Sequence, residues 1–450
     1  RMKKPIEKND HLNMGRIRQR MMLCLLAPFA VPLLGLIWTI GLAAPSSNTS
    51  VLSHDGAWCW FQDPRAVYLG GERNRTVAGW ITRSGELEIG AMDNETGEVE
   101  TVRLKSNWDV DDHNTCSIFV LPDQRLMVFY ARHNKRGLFC RRSSQPGEIS
   151  HWDEEVTVSN SERITYSHPV YLREEGRFYV FWRGPSWKPT FATSMDGKDW
   201  SPPRILVQGL GKESASIRPY LKLYSDGHST IHIAFTDGHP RNEEENSVYY
   251  LAYKKGAFYR SDGGLIDSIQ SSPVQPENCD LVYDGASNGR AWLWDIGADS
   301  NQRPMILYTR LPKETEHHYH FGYWDGGQWL NRHIVRGGGW FPETRKGAVE
   351  LEPHYSGGFA LNHQNPFQLF LSREVAGNFE IEKWSTDDLG LSWVVQPLSS
   401  RSVGVNVRPV VPRHLPEHIT SVLWMQGHYE HYTRFQTRIM LYSTQSDSIP

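Results

Sequence analysis

Thr115-Cys-Ser-Ile-Phe-Val120, a polar turn at Pro122-Asp-Gln-Arg125, then Leu126-Met-Val-Phe-Tyr130: this stretch decides how the chain reads. Two short runs of β-branched and aromatic residues around a Pro/Asp turn predict an antiparallel hairpin. The same unit recurs along the chain. Its first strands begin near Arg65-Ala-Val-Tyr68, Thr115, Ser167-His-Pro-Val-Tyr-Leu172, Ile217-Arg-Pro-Tyr-Leu-Lys222, Ala291-Trp-Leu-Trp294, Gly358-Phe-Ala-Leu361 and Val407-Arg-Pro-Val-Val411. Partner strands include Arg177-Phe-Tyr-Val-Phe-Trp182, Thr230-Ile-His-Ile-Ala-Phe235 and Ser421-Val-Leu-Trp424. Each pair is followed by a second hairpin. Two hairpins per unit in seven units predict an all-β fold, a seven-bladed β-propeller of four-stranded antiparallel blades. No stretch sustains a helical period, which excludes α/β barrels and doubly wound folds.

Composition agrees. The formal net charge of −3 lacks the basic stripe of a nucleic-acid binder. The 17 Trp, 19 Tyr and 17 Phe suit blade packing, and any left at a surface suit the C–H faces of sugars. Among the turns, Ser194-Met-Asp-Gly-Lys-Asp-Trp200 and Ser385-Thr-Asp-Asp-Leu-Gly-Leu-Ser-Trp393 resemble the Asp-box of neuraminidase-type repeats, each with irregular spacing. Such boxes mark a propeller and carry no chemistry.

Lys3, Lys4, Arg16, Arg18 and Arg20 precede an apolar run from Met21 to Ala44 closed by small residues. Residues 1–44 therefore read as a signal peptide, with an uncleaved signal anchor as the alternative because the run is long enough to span a bilayer. Residues 45–55 read as a linker and 56–450 as the propeller. The expected location is secreted or periplasmic, with no membrane contact once the leader is removed and a monomeric state. Cys59, Cys116, Cys140 and Cys279 follow the leader; disulfides are permitted there, and the spacing fixes no pairing. No CxxC or HxxxH cluster suggests zinc.

Hairpin symmetry locates a site. His113 and His133 are equally far from Asp123 at the centre of their turn, so they face each other at the open end of one hairpin. Tyr166 and Arg183 are matched in the same way about Glu174-Glu-Gly176. The Asp226-Gly227 turn brings Ala215 and Arg218 toward Thr236 and His239, and Asn406 and Arg408 stand at the corresponding start in blade seven. Inner strands of a propeller run the same way, so these starts share one mouth of the central channel.

The residue types suggest a reaction. No pair of carboxylates stands out at these positions, which argues against an ordinary glycosidase. Two His, a Tyr and an Arg fit proton abstraction beside a carboxylate. In a uronic acid, Arg183 would neutralise the carboxylate, one of His or Tyr would take the C5 proton, and another would protonate the oxygen leaving C4. The product is an unsaturated uronate.

The stretches Asp55-Gly-Ala-Trp-Cys-Trp-Phe-Gln-Asp-Pro-Arg65, Asp112-His-Asn114, Tyr130-Ala-Arg-His133, Thr165-Tyr-Ser-His-Pro169, Phe181-Trp-Arg-Gly184 and Thr236-Asp-Gly-His-Pro-Arg241 resemble the BNR-repeat propeller polysaccharide lyases, the ulvan lyases and rhamnose–glucuronate lyases. The resemblance runs from about Gly56 to Thr444. It implies catalytic roles for His113, His133, Tyr166 and Arg183 and an acidic polysaccharide or oligosaccharide as partner. Asn114, Arg218, His239, Arg241, Tyr355 and Arg408 are the expected substrate contacts. The chemistry requires no cofactor; relatives hold a structural metal, often calcium, and no ligand set for it stands out here. The family also includes rhamnosidases. A hydrolase is therefore one rival, although a sialidase would pair an arginine triad (Arg65, Arg218 and Arg408 are candidates) with a Tyr–Glu nucleophile that is not evident. A non-catalytic sugar-binding propeller is the other.

Overall fold

The computed structural model describes residues 48–209, 217–313, 315–339 and 357–445. The leader, Ala215 and Tyr355 lie outside the described residues. Seven antiparallel sheets follow one another around a ring. Their innermost strands are Ala66–Leu69, Cys116–Val120, Thr165–Leu172, Leu221–Ser225, Ala291–Ala298, Phe359–Leu361 and Val405–Val410. These are the strand starts read from the repeats. They run as near-continuous apolar segments because each packs against neighbouring blades on both faces; all eight residues of Ala291–Ala298 are buried. Trp58, Trp80, Trp182, Trp292 and Trp424 are fully buried between sheets. Trp80 lies flat on the backbone of the next strand at Gly90, where a Cβ would come within 2.3 Å of the indole. The glycine is the room in which that indole fits.

Six of the sheets have four strands. Blade four departs from the pattern: beside Val248–Lys254 an extra hairpin, Ala257–Tyr259 with Leu265–Ser268, shares the edge with Asp280–Tyr283. The ring closes between the two ends of the chain. Thr49–Ser53 pairs antiparallel with Arg434–Gln445 and becomes the outer strand of blade seven. This corrects the reading of residues 45–55 as a linker. The segment Thr-Ser-Val-Leu-Ser is a strand whose partner is supplied from the far end of the sequence.

The Asp-box turns sit between the third and fourth strands of blades three and six. Asp196 accepts hydrogen bonds from the backbone of Lys198 and Asp199, and Ser194 Oγ donates to Asp196. In blade six the hydroxyl belongs to Thr386, bonded to Asp388, which caps Leu391 and Ser392. Framed from Thr386 rather than Ser385, this box has regular spacing through Gly390 to Trp393. Cys59, Cys116, Cys140 and Cys279 are all buried free thiols.

Candidate active site

The hairpin Cys116–Val120 with Leu126–Ala131 is regular, with Cys116 opposite Tyr130 and Val120 opposite Leu126. The positions beyond its open end therefore stay paired. Just before it, a single 3-10 turn, Asp112–Asn114, is capped by Asp111, whose carboxylate accepts from the backbone N–H of His113 at 3.0 Å. Asn114 ties the two ends of the hairpin together. Its Nδ2 donates to the carbonyl of Trp108, and its Oδ1 accepts from the N–H of His133 at 2.6 Å. With both backbones fixed, the His113 and His133 rings stack at 4.0 Å between centroids and 15° between planes.

One carboxylate holds both rings. Asp111 Oδ1 lies 2.6 Å from His113 Nδ1, and its Oδ2 lies 2.9 Å from His133 Nδ1. Each Nδ1 therefore carries a proton toward Asp111, and the Nε2 atoms are left for chemistry. Tyr432 stands edge-on to both rings, 5.0 Å and 5.6 Å away.

Blade three supplies the other two groups. Thr165 is opposite Arg183 and Ser167 opposite Trp182, so Tyr166 is the extra residue of a β-bulge. Its φ of 59° is left-handed, an unusual state for an aromatic residue, and it re-aims the ring toward the channel. The ring lies 5.6 Å from that of His113 and 5.5 Å from that of Phe61. Arg183 spreads its guanidinium over Tyr166, with Cζ 4.9 Å from the ring centre. Only 6% exposed, Arg183 donates to Tyr220 Oη at 2.6 Å and to Asn134 Oδ1 and Thr165 Oγ1 at 3.1 Å. All three acceptors are neutral, and among the described residues no carboxylate pairs with this arginine and its buried Nε has no partner. A buried cation held in this way is poised for an anion from outside.

Electrostatics separate the two histidines. Burial works against a charged His113, and its pKa is raised well above the ordinary value by the charges that Tyr166, Asp111 and Cys59 carry when ionised; with Tyr166 protonated, Asp111 and its hydrogen bond to Nδ1 are what favour the imidazolium. Burial and the charge on His113 lower His133 to about 4. The stacked pair thus shares one proton at neutral pH, kept on His113. Burial would raise Asp111, yet His113 and His133 hold it well below the usual carboxylate range. Burial and Cys59 push Tyr166 well above an ordinary tyrosine, so it rests protonated despite His113 and Arg183 nearby.

The expected substrate contacts divide. His239 stands beside Tyr220 and Trp292, with ring centroids 5.7 Å and 4.7 Å away, and burial with the charges of Arg241 and Arg183 keeps it neutral. Arg241 is exposed beside it. Arg218 stacks on Trp187, 4.1 Å from Cζ to the ring centre. Asn114 and Arg408 are both engaged inside the protein. Asn114 is the hairpin clasp already described. Arg408, 2% exposed, donates to Asp112 at 2.5 Å, to the carbonyl of Trp58 at 2.8 Å and to Tyr429 at 2.9 Å. Arg65 is likewise paired with Asp63 at 3.1 Å. Two of the three arginines that a sialidase would turn on a carboxylate are thus occupied. The adjacent carboxylates are occupied too, Asp111 by the histidines and Asp112 by Arg408, which removes them as a glycosidase pair.

Sequence reasoning missed Asp111, Cys59, Tyr220 and Tyr432. Asp111 stood two residues from His113 and could have been found as its orienting carboxylate. Tyr220 continues the blade-four hairpin opposite Thr236 and was within reach of the same symmetry, whereas Cys59 and Tyr432 arrive on loops outside it. Two groups among the described residues bring metal-type donors together: Cys59, Asp112 and His113, and Asp111, His113 and His133. Calcium takes six to eight oxygen ligands. Imidazoles, a thiol and carboxylates already bonded to His and Arg do not make that shell, so neither group fits calcium.

The model of the BNR repeat-containing family matches residues 75–336. No curated protein matches the sequence. Among solved structures, the fold is similar to a polysaccharide lyase of family PL25, an ulvan lyase bound to -[GlcA(1-4)Rha3S]-, at 13% identity and TM-score 0.66, covering 86% of this chain and 94% of that one. It is also similar to the polysaccharide lyase Uly1, at 12% identity and TM-score 0.56 over 88% and 98% of the two chains. The BP39L lectin of Burkholderia pseudomallei shares the fold at 10% identity and TM-score 0.52, over 88% and 97% of the chains.

Proposed function

This chain belongs to the BNR repeat-containing family, and from that premise we propose that it is an exported polysaccharide lyase that cleaves rhamnose–glucuronic acid linkages by β-elimination. The observation that carries the proposal is Arg183: a buried guanidinium with three neutral acceptors, no acidic partner, and a protonated tyrosine under its face. The uronate carboxylate supplies the missing anion. Arg183 and the imidazolium of His113 bind it and stabilise the negative charge that spreads onto it when C5 is deprotonated.

The roles follow from protonation states that the surroundings drive apart. His133, neutral and with Nδ1–H turned to Asp111, offers Nε2 as the base for the C5 proton. The C5–H electron pair becomes the C4=C5 bond as the C4–O4 bond breaks. Tyr166 donates its phenolic proton to the departing O4. Asp111 is a positioning residue: it sets both tautomers and touches no substrate. His239, Trp187 and Arg218 form the rim against which neighbouring sugars would rest.

The test is incubation with ulvan and with gum arabic while following ultraviolet absorbance from the conjugated uronate. Absorbance supports the lyase and its growth on one polymer names the substrate. Reducing ends without absorbance would mean hydrolysis, and neither product would leave a sugar-binding protein.

A further inference from the structure

The active site occupies the starts of the inner strands. Their opposite ends surround a second cavity, of about 270 Å³, at the other mouth of the channel. Phe119, Tyr171 and Tyr224 from the ends of three successive inner strands wall it, all partly exposed, and the Asp226–Gly227 turn borders it. His363 and Arg413 reach it from blade six and from the segment after the inner strand of blade seven. We propose that this lower mouth is a second, non-catalytic binding site, which takes a single uronic-acid residue through its carboxylate.

Among the described residues, the carboxylates around the cavity all hold close partners. Asp63 is paired with Arg65 and Lys222. Asp295 accepts from the backbone of Ile296 at 2.8 Å and of Leu361 at 3.0 Å and meets His363 Nε2 at 3.3 Å. Asp226 is capped by the N–H groups of His228, Ser229 and Thr230 at 2.7–3.0 Å. Among the described residues Arg413 has no side-chain hydrogen bond or ion pair within 4 Å; Asp295 and Asp63 act on it only at longer range. Its guanidinium lies over Tyr224, 5.5 Å from Cζ to the ring centre, and its Nη1 is buried without an acceptor. Burial keeps His363 and His168 toward their neutral forms, so neither competes with Arg413 for an anion.

A second atom fixes the ligand class. His363 is 8% exposed and stacks with Tyr224 at 5.4 Å. Its Nε2 also lies 3.1 Å from the carbonyl of Ile296, which assigns the ring proton to Nε2 and leaves Nδ1 a buried lone pair with nothing to accept. A donor for a carboxylate, an acceptor for a hydroxyl and aromatic faces for C–H groups together describe an acidic sugar rather than an inorganic anion. The volume lies just below that of drug-sized pockets and suits one ring. An anion follows from Arg413 alone; the choice of a uronate carboxylate rests on the proposed function.

The experiment is calorimetric titration of the whole protein with sodium D-glucuronate, with glucose and sodium sulfate as the ring-only and anion-only probes. Two classes of glucuronate site are expected. Arg413→Gln and, separately, Tyr171→Ala should weaken one class at least about tenfold, while His113→Ala spares that class and turnover on polymer persists in the first two variants. Tyr171 stands at the wall, so it serves if Arg413→Gln fails to fold. The inference is overturned if both variants bind glucuronate as wild type does, or if sulfate binds the Arg413-dependent site as well as glucuronate. A protein that makes no unsaturated product yet loses glucuronate binding with Arg413→Gln would refute the lyase and keep this site.

Discussion

Asp111→Asn is the sharpest perturbation the active site offers. The change is isosteric, and the carboxylate it removes accepts three hydrogen bonds: from His113 Nδ1 at 2.6 Å, His133 Nδ1 at 2.9 Å and the His113 backbone at 3.0 Å. An amide has one acceptor and one donor end. If its oxygen stays with His113 and the turn, its NH2 meets His133 Nδ1, which must then give up its proton and carry it on Nε2. The base is lost to the wrong tautomer. If the amide flips, His113 suffers instead and the turn loses its cap. A positioned general base contributes roughly 10²–10⁴-fold, or about 3–5.5 kcal/mol at 1.36 kcal/mol per tenfold. Turnover on uronate polymer, followed by ultraviolet absorbance, should fall within that range while circular dichroism stays unchanged. Removing the negative charge also lowers the pKa of His113, so the alkaline limb of the pH profile should move to lower pH. A variant with turnover within about threefold of wild type and an unshifted alkaline limb would refute the reasoning.

Tyr166→Phe removes one oxygen and should cost roughly 10²–10⁴-fold in kcat with the fold intact; an unchanged kcat sinks its role as the acid. Arg183→Lys keeps charge but cannot reproduce the fork that reaches Tyr220, Asn134 and Thr165 together, and kcat/KM should fall at least about tenfold, by loss of one electrostatic donor. In the wild-type pH profile, His133 must be neutral, so activity is present above its pKa and lost as pH falls through about 4. His113 must be charged, so activity is present below its raised pKa and lost as pH rises through it, placing the second limb on the alkaline side of neutrality. Arg408→Met leaves Asp112 buried without its counter-charge and should destabilise the protein by about 3–5 kcal/mol in denaturant unfolding; a midpoint unchanged from wild type would show that pair to be dispensable.

The parts of the site that sequence made legible are those governed by local pairing. His113 and His133 meet because nothing interrupts the register between Cys116–Val120 and Leu126–Ala131. Tyr166 and Arg183 meet because the bulge at Tyr166 shifts that hairpin by a single residue, which symmetry tolerates. What was missed depends on the ring as a whole. Cys59 and Phe61 enter across the channel, with the Cys59 N–H bonded to the carbonyl of Asp112 at 3.0 Å, and Tyr432 comes from the turn before the last strand. Arg408 looked like a substrate contact because it stands near the start of its inner strand, at the mouth of the channel where the strand Arg177–Arg183 ends. The difference is Asp112, a carboxylate within 2.5 Å, and nothing within blade seven announces it. The strand at Thr49–Ser53 was misread because five residues of mild alternation say little until their partner is known.

That strand has a consequence in time. Thr49 emerges from the ribosome about 390 residues before Tyr442, the residue opposite it. At synthesis rates of about 5–20 residues per second, the gap lasts roughly 20–80 s. Blades one to six can each form from contiguous chain during that interval, whereas blade seven cannot. The turn that carries His113 waits as well. The N–H of Asp112 is held by the carbonyl of Tyr432 at 2.9 Å, and the Asp112 carboxylate by Arg408. Both partners come from the last blade to be made. Nascent and truncated chains therefore lack the contacts that set His113 in place, and appearance of activity serves as a clock for closure of the ring.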